Sequence, residues 1–374
     1  MAKKKKFGAQ TATMLISLCV GGVLGLWIVD YGVGLLGPDI GFGALMCVLW
    51  GAILWMCLCM FLHTIIHEAG HLIAGLLSGY RFSSFRIGSF TWVKRDGKIH
   101  FCRYSLAGTG GQCLMAPPEL KNGKIPVVLY NMGGVIINML TAVLCLIPVL
   151  LLPENSIGHG LWVVASFTGF ASALMNGVPM RVGMVDNDGR NAISICRDPV
   201  AMRAFWVQMM VSHRNTQGER LREMPEKWFD CPVRDLNNPM ISTVWVFRAN
   251  RMMDQKEFAL AEAAMDDLLR AENPLLGLHR ALLTADKLFC MMLRRADRSE
   301  IDALYTKEQK QMMAAMRTNP SVIRTQYAYA VLVSGDAKEA EKQRPLFEKT
   351  AAKYPYPQEI EAERELMALI PVQA

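Results

Sequence analysis

The chain has 374 residues, 52% of which are hydrophobic, and a formal net charge of +7. Its two halves differ: residues 1–190 contain 14 Lys/Arg and 8 Asp/Glu, whereas residues 191–374 contain 26 Lys/Arg and 25 Asp/Glu. This division argues against a single soluble domain, a disordered chain and a collagen-like protein. The ten cysteines lie in apolar runs or are scattered singly, which also argues against a disulfide scaffold.

Four apolar runs in the first half are long enough to cross a membrane, which takes about 20 residues. They cover Thr13–Leu36, Phe42–Leu77, Ile125–Leu152 and Leu161–Val182. The first run follows four lysines and has no small-residue cleavage site, so a retained helix is predicted rather than a signal peptide. The second run would form roughly 54 Å of helix. It exceeds a hydrocarbon core of about 30 Å, and we expect it to project, tilt or break, with Gly70, Gly75 or Gly79 as the candidate positions.

The orientation in the membrane follows from the positions of Lys and Arg. The N-terminal lysines and the loop 81–124 are basic, whereas the links 37–41 and 153–160 contain no Lys or Arg. By the positive-inside rule, the lysines and the loop face the cytoplasm. The predicted location is the cell membrane, as a multi-pass protein with cytoplasmic N- and C-termini.

The basic loop has the pattern of a β-hairpin. Two stretches rich in aromatic and β-branched residues, Arg81–Lys94 and Lys98–Leu106, flank the dipeptide Asp96-Gly97. This dipeptide is a strong signal for a two-residue hairpin turn. A cytoplasmic or interfacial hairpin is predicted.

The second half has amphipathic helical patterns separated by prolines. Met240–Met253 is paired with Lys256–Ala271, and Ser321–Ser334 with Ala337–Lys353. The second pair lies between two prolines at a spacing near the roughly 34-residue period of tetratricopeptide repeats. An irregular helical domain is an equally open interpretation. The predicted fold class is a multi-pass α-helical membrane protein, with about four transmembrane helices and a cytoplasmic β-hairpin, followed by an all-α soluble domain.

A candidate metal site lies near the end of the second apolar run, in the sequence His67-Glu68-Ala69-Gly70-His71. Residues four apart share one face of a helix, so both imidazoles can bind one ion while Glu68 lies beside it. Ionisable residues are costly on a membrane helix and indicate function. The pattern predicts one Zn²⁺ per chain, bound by His67 and His71, with Glu68 as general base.

One further histidine lies on the same helix face, one turn earlier. His63 is roughly 11 Å along the helix from His71, too far for all three histidines to bind one ion. We interpret His63 as a helix-face histidine or as a partner of a metal ligand.

The end of the fourth run is the candidate source of a third ligand. A proline, Pro179, interrupts the helix in a stretch that contains Asn176 and two carboxylates, Asp186 and Asp188. Irregular backbone at membrane depth is tolerated where protein buries it or where it lines a wet cavity. An ordinary helix end followed by an Asn-Asp-Gly turn is the alternative.

These residues resemble the site-2 proteases, zinc metalloproteases that cut within membranes. In that family an HExxH helix is followed by a Gly-Gly-Pro-x-x-Asn helix, then by Asn-x-x-Pro and an Asp-Gly pair. The resemblance covers roughly residues 45–190. The matching segments are His67–His71, Gly133–Asn138 with Val135 in place of proline, Asn176 with Pro179, and Asp188-Gly189.

The resemblance implies roles for two further residues. Asp188 would be the third zinc ligand, although the longer spacing from Asn176 keeps Asp186 as a rival. Asn138 would hold the substrate carbonyl or the developing oxyanion, or else join helices through hydrogen bonds.

The resemblance also implies an intramembrane zinc metalloendopeptidase that acts on membrane-embedded or membrane-associated proteins. The predicted domains are a transmembrane metalloprotease domain (1–190), a helical linker region (191–239) and a cytoplasmic helical domain (240–374). The predicted partners are the lipid bilayer, a protein substrate and a cytosolic protein that binds the last domain, with no nucleic acid. A non-catalytic membrane adaptor is the main alternative, and a metal transporter is a weaker one.

Overall fold

The computed structural model describes residues 9–37, 39–103, 110–182, 185–232, 236, 238–271 and 277–371, without the side chains of residues 9–21, 182, 185 and 278. The N-terminal lysines and the end of the predicted second strand, at Leu106, lie outside the described residues. The described chain is mostly helical, with a small antiparallel sheet. Its contacts divide it into two compact units, which are described separately.

The first unit comprises Met1–Ser78 and Val127–Ile193. Its helices are α1 (Ala9–Leu36), α2 (Phe42–Leu77), α3 (Val127–Leu151) and α4 (Ile157–Gly177). Helices α2, α3 and α4 pack against one another, and α1 packs against α2. These three central helices are long and apolar enough to cross a membrane, whereas the part of α1 with described side chains, Gly22–Leu36, is shorter. A fourth span therefore stays a prediction.

Helix α2 is continuous over its 36 residues and has no break at Gly70 or Gly75. It ends at Leu77. The C-cap residue Ser78 donates its backbone N–H to Ala74 O, and the next residue, Gly79, adopts φ +82°. A left-handed glycine just beyond the last turn is a common helix terminator. This continuity places the His67–His71 segment in the last turns of a very long helix.

Two glycines bring α2 and α3 into close contact. A Cβ atom on Gly70 would lie 2.4 Å from Gly133 O, and one on Gly133 would lie 2.4 Å from Gly70 O. Small residues allow membrane helices to approach this closely. The crossing is centred on the segment between His67 and His71, so α3 forms one wall of the candidate metal site.

A short irregular segment follows α4. It contains the strand pair β5 (Arg181–Val182) and β6 (Val185–Asp186), and then α5 (Asp188–Arg197) begins. Helix α4 ends before Pro179, because the residue before a proline is disfavoured in the helical conformation.

The second unit comprises Gly79–Pro126 and Ser194–Ala374. Its sheet has the order β3-β2-β1-β4, formed by β1 (Arg81–Ile87), β2 (Phe90–Arg95), β3 (Lys98–Arg103) and β4 (Gly111–Ala116). The predicted hairpin is present: β2 pairs with β3 around Asp96 (φ 51°) and Gly97 (φ 75°). The predicted first strand is divided by a turn at Gly88 (φ 57°), and β4 pairs with β1.

Helices form the rest of the second unit. They are α6 (Pro199–Thr216), α7 (Pro239–Asp254), α8 (Phe258–Arg270), α9 (Gly277–Leu293), α10 (Arg298–Leu304), α11 (Lys307–Ala315), α12 (Pro320–Tyr329), α13 (Ala337–Ala351) and α14 (Pro357–Met367), with 3-10 turns at Leu221–Glu223 and Glu226–Trp228 and a π-helical turn at Ala330–Ser334. The core lies between α7, α8, α9 and α12, and α6 packs against the sheet. The tetratricopeptide-like arrangement stays a prediction.

Candidate metal centre

Two histidines of α2 face each other across one turn of the helix. His67 and His71 are both buried, and their Nε2 atoms are 3.1 Å apart. The two rings are nearly perpendicular, at 87°. This arrangement follows from the four-residue spacing, which places both side chains on one helix face. Both Nε2 lone pairs can therefore point at one ion.

A carboxylate from the start of α5 meets this pair. Asp188 Oδ2 lies 2.9 Å from His67 Nε2 and 3.5 Å from His71 Nε2. Among the described residues these three are the group with the composition and spacing of a metal site. The structure therefore brings Asp188 to His67 and His71, two residues of one helix that are far from it in sequence.

The donor atoms fit a tetrahedral zinc ion. Ligand atoms at about 2.0–2.1 Å from zinc in tetrahedral geometry lie about 3.3 Å from one another, close to the three separations found here. In addition, Asp188 Oδ2 is buried and has no hydrogen bond of acceptable geometry with the described residues. A buried carboxylate oxygen without a donor is costly, and a metal ion would satisfy it.

The Asp188 carboxylate is ionised in this environment. Burial by itself raises its pKa, but protons on the facing nitrogens of His67 and His71, which a bound metal ion would replace, outweigh burial and lower the pKa to about 2. An acid with a lowered pKa keeps its charge above that value. The third candidate ligand is therefore anionic at neutral pH.

The second ring nitrogen of His71 has its own partner. His71 Nδ1 lies 2.8 Å from Tyr130 O on α3. Because a carbonyl can only accept, Nδ1 carries the proton and Nε2 is left with a free lone pair. Metal-binding histidines are commonly fixed in this way.

The remaining predicted site residues are also buried in this region. Glu68 follows His67 directly on α2 and is 8% exposed. Asn138 on α3 is 1% exposed, and its amide lies between the rings of His63 and His67. Both assignments, Glu68 as base and Asn138 as a substrate-binding or helix-joining residue, stay predictions.

Asp186, the alternative third ligand, forms ion pairs with two arginines. Asp186 accepts two hydrogen bonds from Arg181, from Nε to Oδ1 at 2.6 Å and from Nη2 to Oδ2 at 3.0 Å. Arg190 Nε lies 3.0 Å from the same Oδ1. Both oxygens of Asp186 therefore contact arginines, while Asp188 contacts the histidines.

Sequence reasoning missed Asn187, which organises the segment between α4 and α5. Its Oδ1 accepts from the backbone N–H of Arg190 at 3.0 Å and of Met180 at 3.1 Å, and its Nδ2 donates to Val178 O. The first of these bonds makes Asn187 the N-cap of α5. The available signal was an Asn before an Asp-Gly pair, a combination that is common both in turns and at helix starts.

The glycine after Asp188 is required by close packing. A Cβ atom on Gly189 would lie 2.0 Å from Gly177 O at the end of α4. Backbone atoms cannot give way as a flexible side chain can. The Asp-Gly pair therefore reflects a contact between the first turn of α5 and the last turn of α4.

Replacing Gly189 with Ala is expected to displace Asp188 and to destabilise the purified protein by about 1–3 kcal/mol, typical of overpacking. Zinc content should fall as well, because the third ligand moves. Thermal unfolding in detergent and metal analysis measure both effects. The matched control is Gly51→Ala, since a Cβ atom on Gly51 of α2 meets nothing within 4 Å. Equal behaviour of the two variants would contradict the packing argument.

Comparison with known proteins agrees with this geometry. The sequence model of Peptidase family M50 matches residues 55–343, which is more than half of the chain and includes all three candidate ligands. No curated protein and no solved structure matches the chain significantly. The chain belongs to Peptidase family M50, the site-2 protease family of membrane metallopeptidases.

Proposed function

We propose that this protein is an intramembrane zinc metalloendopeptidase that hydrolyses peptide bonds in membrane-embedded or membrane-associated proteins. One observation carries the proposal: His67, His71 and Asp188 converge at 2.9–3.5 Å, with a buried, unsatisfied carboxylate oxygen, at the end of a membrane-spanning helix. Three protein ligands leave a fourth zinc position open, as in hydrolytic zinc enzymes.

The proposed chemistry divides between the ion and Glu68. A zinc ion held by the three ligands would polarise the scissile carbonyl and acidify water. Glu68 takes one proton from the attacking water as its oxygen bonds to the carbonyl carbon. The C–N bond then breaks, and Glu68 passes the proton to the leaving amine. The products are a carboxylic acid and an amine.

The substrate has to present an extended backbone to this site. In a helix the peptide carbonyls are held in hydrogen bonds to N–H groups four residues on. A transmembrane segment must therefore unwind locally before it can be cut. Polar groups buried around the site can offer hydrogen bonds to the released backbone.

The orientation and the second unit are part of the proposal. We place both termini in the cytoplasm because the N-terminal lysines and the basic loop 81–124 both face the cytoplasm under the positive-inside rule. The helical second unit would then meet the cytoplasmic parts of substrates or a cytosolic partner protein. Its separate compact core supports an independent binding role.

The proposed function predicts that a natural substrate accumulates uncut when Glu68 is replaced. We expect the membrane proteome of a Glu68→Gln strain to contain at least one full-length membrane protein that the parent strain cleaves. Quantitative mass spectrometry of the two membrane fractions measures this.

The control strain carries Glu154→Gln, which removes an exposed carboxylate in the link between α3 and α4. It should match the parent. The adaptor alternative predicts a different pattern, in which Glu68→Gln also matches the parent and deletion of the whole chain causes the change. That pattern would contradict the proposed function.

A further inference from the structure

His63, one turn before His67 on α2, has no role in the proposed chemistry but occupies a closely fitted position. It is 3% exposed. Its ring lies against Gly169 of α4, where a Cβ atom would be 2.6 Å from Cε1. Its two ring nitrogens have partners on two different helices, the Ala165 carbonyl on α4 and the Asn138 amide on α3. These contacts define a single orientation for the imidazole.

The Ala165 carbonyl determines which nitrogen of His63 carries the proton. His63 Nε2 lies 3.2 Å from Ala165 O. A carbonyl oxygen only accepts, so Nε2 must be the donor. A fully buried imidazole in an apolar span is neutral, because burying an unpaired charge is very costly. Nδ1 of His63 is therefore unprotonated and acts as an acceptor.

The Asn138 amide links the protonation of His63 to that of His67. In the structure Asn138 Oδ1 lies 3.3 Å from His63 Nδ1, and Asn138 Nδ2 lies 3.4 Å from His67 Nδ1. A half-turn of the amide exchanges its oxygen and nitrogen, so the neighbouring groups decide its orientation. As placed, Oδ1 would face the lone pair of His63 Nδ1, so we infer the half-turned amide, in which the NH₂ group faces His63. The amide oxygen then faces His67.

An oxygen facing His67 Nδ1 selects one tautomer of that ring. Nδ1 carries the proton and donates it to Asn138, and Nε2 is left with its lone pair directed towards His71 Nε2 and Asp188 Oδ2. The Tyr130 carbonyl imposes the same tautomer on His71. The ring of His67 also packs directly against the backbone of Gly134 on α3, where a Cβ atom would lie 2.5 Å from its Cε1.

We propose that His63 and Asn138 are positioning residues, which together with the Ala165 carbonyl form a hydrogen-bonded chain that holds His67 in its metal-binding tautomer. The inference rests on the proposed zinc site. It does not depend on peptide hydrolysis, and its test needs no substrate.

The first test compares two replacements of His63 in the full-length protein purified in detergent. An Asn side chain places its amide near the position of Nδ1, whereas a Gln side chain places its amide near Nε2. His63→Gln should therefore lose the acceptor for Asn138, and zinc affinity, measured by competition with a chelator, should fall about 10–100-fold, as for other partners of metal-bound histidines. His63→Asn should keep most of the affinity.

A matched control separates positioning from general packing. Ser166→Ala removes a buried hydrogen bond between α4 and α3, from Ser166 Oγ to Ala142 O at 2.9 Å, without touching either histidine. It should leave zinc affinity unchanged, and the visible spectrum of the Co²⁺-loaded protein should match that of the parent. The spectrum of His63→Gln should change. Equal losses in Ser166→Ala and His63→Gln would overturn the proposal.

Asn138→Asp provides an independent test of the amide orientation. A carboxylate accepts from His67 Nδ1, and although it cannot donate to His63, that ring can move its proton from Nε2 to Nδ1. Zinc affinity should therefore be retained if an oxygen at this position is what holds His67. Asn138→Leu, which offers neither group, should lose affinity. If Asn138→Asp folds and binds zinc as weakly as Asn138→Leu, the oxygen does not face His67 and the chain is wrong. If the parent protein binds zinc but shows no detectable proteolysis, the proposed function is contradicted and the positioning role of His63 and Asn138 is not affected.

Discussion

Replacement of Glu68 with Gln is expected to abolish peptide hydrolysis while zinc remains bound. The amide has nearly the same size as the carboxylate but cannot accept a proton from water at neutral pH. General acid–base catalysis typically contributes about 10²–10⁴-fold to the rate, so the turnover number should fall by at least this factor. The ligands His67, His71 and Asp188 are unchanged, and the zinc content should stay near one per chain.

The measurement uses purified, zinc-loaded protein and a membrane-protein substrate that the parent enzyme cleaves. Glu154→Gln, an exposed change outside the site, is the matched control and should cleave normally. Undiminished cleavage by Glu68→Gln would remove Glu68 from the catalytic role. Loss of zinc together with loss of cleavage would instead indicate a structural role for Glu68.

Replacement of Asp188 with Asn is expected to cost most of the zinc affinity. The amide keeps the shape of the side chain but removes the negative charge that lies 2.9 Å from His67 Nε2. Loss of a direct ligand should exceed the about 10–100-fold loss typical of a ligand's hydrogen-bond partner. Cleavage should disappear with the metal.

Asp186→Asn is the matched comparison, since Asp186 lies two residues earlier in the same segment. Its carboxylate pairs with Arg181 and Arg190, so its loss should reduce thermal stability and leave zinc binding largely intact. Zinc content after dialysis and chelator competition distinguish the two variants. If Asp186→Asn loses zinc and Asp188→Asn retains it, the third ligand is Asp186.

The pattern of apolar runs was sufficient to locate the central helices of the first unit. The run Phe42–Leu77 coincides with α2, because its boundaries are set locally, by turn residues at each end. The predicted run for α3 extends slightly past both helix ends, because apolar residues continue there. Helix α4 is displaced from its predicted run: it begins earlier, after the N-cap Ser156, and ends before Pro179. The two histidines and Glu68 could be found because their chemistry is encoded in a spacing within one helix.

The third ligand could not be decided from sequence alone. Asp186 and Asp188 have the same chemistry and lie in the same segment, and local sequence does not show which carboxylate a distant helix will meet. In the structure Arg181 and Arg190 form ion pairs with Asp186. Asn187 caps α5, and Asp188 is the first residue of this helix. The difference depends on tertiary contacts.

The partners of Asn138 and the number of strands in the sheet also could not be predicted from the sequence. The partners of Asn138 lie 71 and 75 residues away, and neither contact has a local signal. The sheet has four strands rather than the predicted hairpin alone, because Gly88 adopts a left-handed turn conformation that its neighbours do not indicate. The addition of β4 then follows from pairing with β1, on the side opposite β2.

The uninterrupted length of α2 determines the depth in the membrane at which the proposed protease would cut its substrates. His67 lies 25 residues after Phe42 on this helix, a distance of about 37 Å at about 1.5 Å per residue. Even with a tilt of about 20°, the rise is about 35 Å, which exceeds a hydrocarbon core of about 30 Å. If α2 enters the bilayer at Phe42, the scissile bond of a substrate would lie near the lipid headgroups of the opposite face. The fragment released on that face would then carry only a few apolar residues of the membrane segment.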